Sequence, residues 1–261
     1  MNKTQIDAYG KELYQALRQA EPVAPLTERE PDITIEDAYH ISEAMLQHRL
    51  RDGEKVIGKK IGVTARAVQN MLGVHQPDFG YLTDAMLVTS DQPITIENQL
   101  IAPRAEGEIA FVLKRDLMGP GITNAQVLAA TEAVLPCFEI VDSRIRDWKI
   151  KIQDTVADNA SCGMFVLGNE AVSPIGLDLT TAGMAVELNG EVISTGAGAA
   201  ALGSPVNCVT WLANTLGEFG IPLKAGEVIL SGSLVPLQPV KAGDNLHVRI
   251  GGLGSASVRF I

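Results

Sequence analysis

Apolar positions fall near a 3.6-residue period at the start of the chain. Ile6, Tyr9, Leu13, Ala16 and Leu17 share one face and predict a first helix. Pro22, Pro25 and Pro31 then interrupt the pattern. Thr34 is a candidate N-cap for a second helix, with Asp37 three residues on, close to a capping box. That helix runs through Ala38, Ile41, Met45 and Leu46 and stops near Gly53; His40 and His48 ride on it as surface or packing residues. The period then becomes two. Over residues 56–63, Ile57, Lys59, Ile61 and Val63 share one face of a strand, and Val56, Gly58, Lys60 and Gly62 share the other. A third helix is predicted over 65–72, then a loop over 75–80 in which Asp78 follows Pro77 as turn-forming aspartates do.

Beyond this point strands dominate. They are predicted over 109–113, 134–141, 164–166, 184–188, 191–194, 228–230, 246–250 and 256–260, with Asn189-Gly190 as a hairpin turn. One late helix spans 205–219 and ends at Gly220. This order implies an α+β protein: an N-terminal helical region over 1–75, whose one strand contributes Lys60, and a curled, β-rich catalytic core over 76–261.

Acidic residues interrupt the apolar strands. Glu106 and Glu108 are two apart and project to the same side, and Glu139 lies inside the run 134–141. Adjacent carboxylates repel and a buried one loses hydration, so the pattern fits either a hard divalent cation or a solvated face with an unrelated, arginine-paired glutamate. Lys60 has a glycine on each side of it on its own face. That leaves room for a ligand, or marks an edge-strand lysine that discourages aggregation.

Composition narrows the partners. A net charge of −10 argues against nucleic acid and anionic membranes. A small anionic substrate would then need a local positive centre. Three cysteines without CxxC spacing fit a reducing compartment and no disulfide framework. No stretch has the apolar run of a signal sequence or spanning helix, so a soluble, cytoplasmic protein is expected. Residues 194–203 contain three glycines, but they follow no Rossmann or P-loop pattern.

Together, Pro103-Arg104-Ala105-Glu106-Gly107-Glu108-Ile109-Ala110, Glu139 and Asp158-Asn159-Ala160-Ser161 resemble the fumarylacetoacetate hydrolase superfamily. Residues 58–64, 76–80, 141–148 and 155–161 resemble its hydratase branch in aromatic meta-cleavage catabolism, and the likeness spans essentially the whole chain. The resemblance implies a fumarylacetoacetate-hydrolase-like curled mixed β core. It implies Mg²⁺ or Mn²⁺ on Glu106, Glu108 and Glu139, with Lys60, Asp78 and Ser161 facing a small 2-hydroxydienoate, and a homo-oligomer. Asn159 joins Ser161 as a candidate for the substrate carboxylate.

The implied reaction is hydration of 2-hydroxypenta-2,4-dienoate (2-oxopent-4-enoate) to 4-hydroxy-2-oxopentanoate. Lys60 would stabilise an enolate or relay a proton, with burial beside the cation lowering its pKa. Asp78, held ionised by Lys60, would orient or deprotonate water. Arg144 and Arg146 pair with Asp142 and Asp147, or reach a distal carboxylate; Trp148 and Phe79 are core or pocket wall.

Three other functions share these features: a 4-oxalocrotonate decarboxylase, a C–C bond hydrolase acting on acylpyruvates, and a non-catalytic partner subunit in a complex with the pathway decarboxylase. Asp78 speaks against the first. The lack of a partner for His75 speaks against the second, and the intact glutamate set against the third.

Overall fold

Asn2 and Thr34 start the two long helices. The computed structural model describes residues 1–89 and 92–261. The Thr34 hydroxyl accepts from the Asp37 amide at 3.0 Å, and the Asp37 carboxylate accepts from the Thr34 amide at 3.1 Å, so the expected capping box is closed. The first half runs α1 (Lys3–Gln19), α2 (Leu26–Arg29), α3 (Ile35–Arg51), β1 (Val56–Gly62), α4 (Arg66–Leu72), β2 (Asp78–Thr83), β3 (Leu87–Val88), β4 (Arg104–Leu113), α5 (Asn124–Ala130) and β5 (Thr131–Val141). Then follow α6 (Ile152–Ala157), β6 (Cys162–Leu167), β7 (Gly183–Leu188), β8 (Glu191–Ala197), α7 (Pro205–Gly217), β9 (Val228–Leu230), β10 (Gln238–Pro239), β11 (Asn245–Ile250) and β12 (Gly254–Arg259).

Two sheets form the core. The larger has the order β2-β1-β9-β4-β5-β6-β3, with β10 also on β4. Its β1–β9 and β3–β6 pairs are parallel and the others antiparallel, which makes it the expected mixed sheet. The smaller sheet, β12-β11-β7-β8, packs across β5 and β6. β1, grouped by sequence with the helices, lies hydrogen-bonded between β2 and β9 inside the larger sheet.

Strand alternation sorts the side chains. Ala105, Ile109 and Phe111 of β4 join Phe138, Met184 and Val248 in the core between the sheets. Ala110 joins Leu82, Cys137, Phe165 and Leu230 on the opposite face. Glu106 and Glu108 share parity with Ala110 and so point to that second face. The helices bury Leu13, Leu26, Ile41 and Met45 against Ile145 and Val156 of the segment around α6. Among the described residues, no helix is long and apolar enough to cross a membrane.

Two expectations change. Residues 78–83 form a strand rather than the end of a loop: Asp78 pairs with Gly62 and Gly80 with Lys60 in an antiparallel ladder. The helix α5, capped by Thr123, was not foreseen.

Candidate active site

β4 and β5 are paired with Glu106 directly opposite Glu139 and Glu108 opposite Cys137. Directly opposed residues have their Cβ atoms about 4.5–5.5 Å apart, so this register alone brings Glu139 to the Glu106–Glu108 pair. One carboxylate oxygen from each glutamate falls within 4.8 Å of the others. Glu108 and Glu139 are fully buried and Glu106 half-buried.

The protein satisfies this cluster only in part. The Gly232 amide donates to Glu108 Oε2 at 2.8 Å. Asp78 Oδ1, Glu108 Oε1 and both Glu139 oxygens are buried without a hydrogen-bond partner among the described residues. Lys60 Nζ is 3.0 Å from Glu139 Oε1, an ion pair whose angles fall outside hydrogen-bond geometry. A buried acceptor left unpaired costs about 1–3 kcal/mol, more when charged. A hard cation with oxygen ligands fits these orphaned atoms. Glu106, Glu108 and Glu139 would hold such a divalent cation.

The electrostatics agree. Burial, then the Glu139 charge, raises Glu106 to about 7. Glu108 is raised well above the carboxylate range by burial, then by Glu139 and Glu106. Burial pulls the Lys60 ammonium down, but Glu139 and then Asp78 outweigh burial, so the protein groups alone hold it above its ordinary range. Burial raises Asp78, and Lys60 offsets that in part.

The space beside Lys60 is filled by protein. A Cβ on Gly62 would lie 2.3 Å from Asp78 Oδ1 and 3.2 Å from Lys60 Nζ, and one on Gly58 would lie 2.0 Å from the Val228 carbonyl oxygen. The two glycines therefore let Asp78, the ammonium and β9 close in, rather than leaving a slot for a ligand.

Ser161 and Asn159 sit on the turn Asn159–Ser161 between α6 and β6. The Ser161 and Thr155 hydroxyls are 3.0 Å apart. Asn159 differs from expectation: its Oδ1 accepts from the Tyr81 amide at 2.7 Å and its Nδ2 donates to the Tyr81 carbonyl at 2.9 Å. Its amide is committed to β2 rather than free for a carboxylate. The structure thus brings Lys60, Asp78 and the three glutamates together, and places the Asn159–Ser161 turn against β2.

Residues 55–261 match the family described as fumarylacetoacetate (FAA) hydrolase, C-terminal. The chain belongs to the fumarylacetoacetate hydrolase family. This family member is 73% identical over 221 residues to a 2-hydroxypent-2,4-dienoate hydratase of Pseudomonas putida, covering 85% of this chain and 100% of that protein. It is 59% identical over 260 residues to a 2-hydroxyhexa-2,4-dienoate hydratase of Comamonas testosteroni, covering 99% of this chain and 98% of that one. Among solved structures it resembles 4-oxalocrotonate decarboxylase from Pseudomonas putida G7, complexed with magnesium and adipate. The TM-score is 0.97 at 37% identity, over 100% of this chain and 99% of that one.

In this fumarylacetoacetate hydrolase family chain, several supporting groups are brought to the site by the fold rather than by local pattern. Gly232 lies in no motif, and Thr155 lies in the 155–161 stretch with no role of its own assigned to it. Arg144 was expected to pair with Asp142, yet its guanidinium is paired with Asp158, with Nε 2.5 Å from Asp158 Oδ1. Arg146 reaches the Pro22 carbonyl at 3.5 Å, and Asp147 lies 3.8 Å from Lys149. Trp148 packs under the Arg104 guanidinium and donates to the Ala102 carbonyl, a structural role.

Proposed function

We propose that this chain is a divalent-cation-dependent hydratase that converts 2-hydroxypenta-2,4-dienoate and water to 4-hydroxy-2-oxopentanoate. The observation that carries the reading is the juxtaposition of Asp78 and Lys60 with the three-glutamate cluster, with Asp78 Oδ1 unpartnered. The high identity to two dienoate hydratases supports the same reading.

Glu106, Glu108 and Glu139 would hold the cation, which would supply Lewis acidity toward the 2-oxo acid. The chain's own residues do the rest. In the first half-reaction the C2 hydroxyl loses its proton and C5 gains one, giving 2-oxopent-3-enoate. Lys60, whose Nζ lies 3.0 Å from Glu139 Oε1, donates to the C2 oxygen and stabilises its negative charge. In the second, hydroxide equivalent adds at C4 and a proton at C3. Asp78, raised by burial and with a free oxygen, accepts the proton of the attacking water. Ser161 donates to the substrate carboxylate. Asn159 acts through its clamp on Tyr81, which fixes the strand that carries Asp78.

The second reading is a 4-oxalocrotonate decarboxylase, favoured by the 0.97 TM-score to that enzyme. Decarboxylation needs no base for water, so it leaves Asp78 unexplained. Supplying each substrate in turn separates the two: the hydratase reading predicts 4-hydroxy-2-oxopentanoate from the dienoate and no CO₂ from 4-oxalocrotonate. The reverse pattern would replace it.

A further inference from the structure

Asn159, Ala160 and Ser161 hold φ angles of 53°, 51° and 53°. In that left-handed region Cβ crowds the following carbonyl, so residues with side chains visit it singly, and a run of three must be held from outside. Arg144 supplies the hold. Its guanidinium is fully buried. Nη2 donates to the Asp158 carbonyl at 2.5 Å and Nη1 to the Cys162 carbonyl at 3.1 Å, the carbonyls immediately before and after the run. Nη1 also donates to the Asp142 carbonyl, Nε donates to Asp158 Oδ1 at 2.5 Å, and the Arg144 amide donates to Asp158 Oδ2 at 2.9 Å.

The run delivers groups to the site in two directions. Asn159 clamps the Tyr81 backbone with two hydrogen bonds, three residues along β2 from Asp78. The Ser161 carbonyl accepts from the Asp142 amide at 2.8 Å, and Cys162 follows directly, close to Glu139.

We propose that Arg144 is a positioning residue: by bridging both ends of the Asn159–Ser161 run it keeps Ser161 in place and β2 seated with Asp78 beside Lys60. Lysine cannot replace it, because a single ammonium lacks the planar fork needed to reach two carbonyls and a carboxylate at once. The roles of Ser161 and Asp78 rest on the hydratase reading; the hold on the run does not.

The test compares the parent with Arg144→Lys and with Arg144→Lys/Ala160→Gly, because glycine removes the left-handed penalty at the middle of the run. Amide hydrogen exchange and Mn²⁺ binding are measured first, without substrate. Expected in Arg144→Lys is exchange about tenfold faster at Tyr81, Asp142 and Ser161, with the β4–β5 ladder and Mn²⁺ affinity unchanged. Turnover of the dienoate should fall about 10²-fold, as small misplacements of reacting groups do, and the added Ala160→Gly should recover part of both changes. Unchanged exchange in the run would overturn the proposal. So would uniformly faster exchange with normal turnover per folded molecule, or failure of both variants to fold, since either assigns Arg144 to global stability. If the parent itself does not hydrate the dienoate, the hydratase reading fails, while the exchange data still decide what Arg144 holds.

Discussion

Gly62 and Asp78 are directly paired across β1 and β2, and a methyl group on Gly62 would meet Asp78 Oδ1 at 2.3 Å and Lys60 Nζ at 3.2 Å. The missing side chain is what allows a carboxylate and an ammonium to share one buried face. Gly62→Ala should therefore push them apart. We expect a stability cost of about 1–3 kcal/mol from overpacking. Turnover should fall about 10²-fold from misplacement, with Mn²⁺ affinity retained because the glutamates lie on other strands. Steady-state kinetics beside a Mn²⁺ titration checks this; unchanged turnover would mean the Lys60–Asp78 spacing does not matter.

Much of this arrangement was legible in the chain. The two-residue period placed Glu106 and Glu108 on one face and Lys60 between two glycines, because strand parity is a local property. Cross-strand register is not local, so nothing in the pattern said that Glu139 would face Glu106. Asp78 reads as a turn residue because it follows Pro77; its strand exists through pairing with β1. Asn159 reads as free for the substrate because its amide partner, Tyr81, is 78 residues away. Arg144 reads as the partner of its nearer neighbour Asp142 for the same reason, whereas the fold carries Asp158 to it.

Removing one carboxylate of the proposed metal site should separate binding from folding. Glu106→Gln keeps the shape of the half-buried side chain but loses its charge. Divalent-cation affinity should drop more than about 100-fold, since even groups one layer further out typically cost 10–100-fold. Activity should fall with it, and the metal-free melting temperature should hold or rise as repulsion with Glu139 is relieved. Calorimetric titration with Mg²⁺ measures the first effect; parent-like affinity would remove Glu106 from the site.

The raised carboxylates make the metal-free protein pH-sensitive. Glu106 sits at about 7 in the fold, above the ordinary carboxylate value, and Glu108 is also raised well above that ordinary value. A carboxyl raised on folding contributes stability that is full below its unfolded pKa and is lost as pH rises through its folded pKa. Metal-free protein should thus melt lower as pH rises through about 7, by about 2–4 °C for each kcal/mol lost. Mg²⁺ displaces the protons, so its stabilising effect should grow over the same range. Thermal melts from pH 5.5 to 8.5, with and without Mg²⁺, test this; a cation effect that shrinks with rising pH would contradict it.

Lys60 and Asp78 should divide the reaction between them. With Mg²⁺ saturating and Glu139 engaged, Lys60→Met should lower both half-reactions about 10²–10⁴-fold and shift the melting temperature little. Asp78→Asn should spare ketonisation and slow water addition by a similar factor, so that 2-oxopent-3-enoate accumulates. Following the dienol by ultraviolet absorbance and the products by NMR separates the steps. Equal loss of both steps in Asp78→Asn would remove its assignment as the base for water.

The most direct measurement gives metal-stripped protein fresh 2-hydroxypenta-2,4-dienoate, with and without added Mg²⁺, and follows dienol absorbance and product identity together. The account predicts Mg²⁺-dependent loss of the dienol with stoichiometric 4-hydroxy-2-oxopentanoate. Folded protein that binds Mg²⁺ yet leaves the dienol to decay at its uncatalysed rate would contradict it.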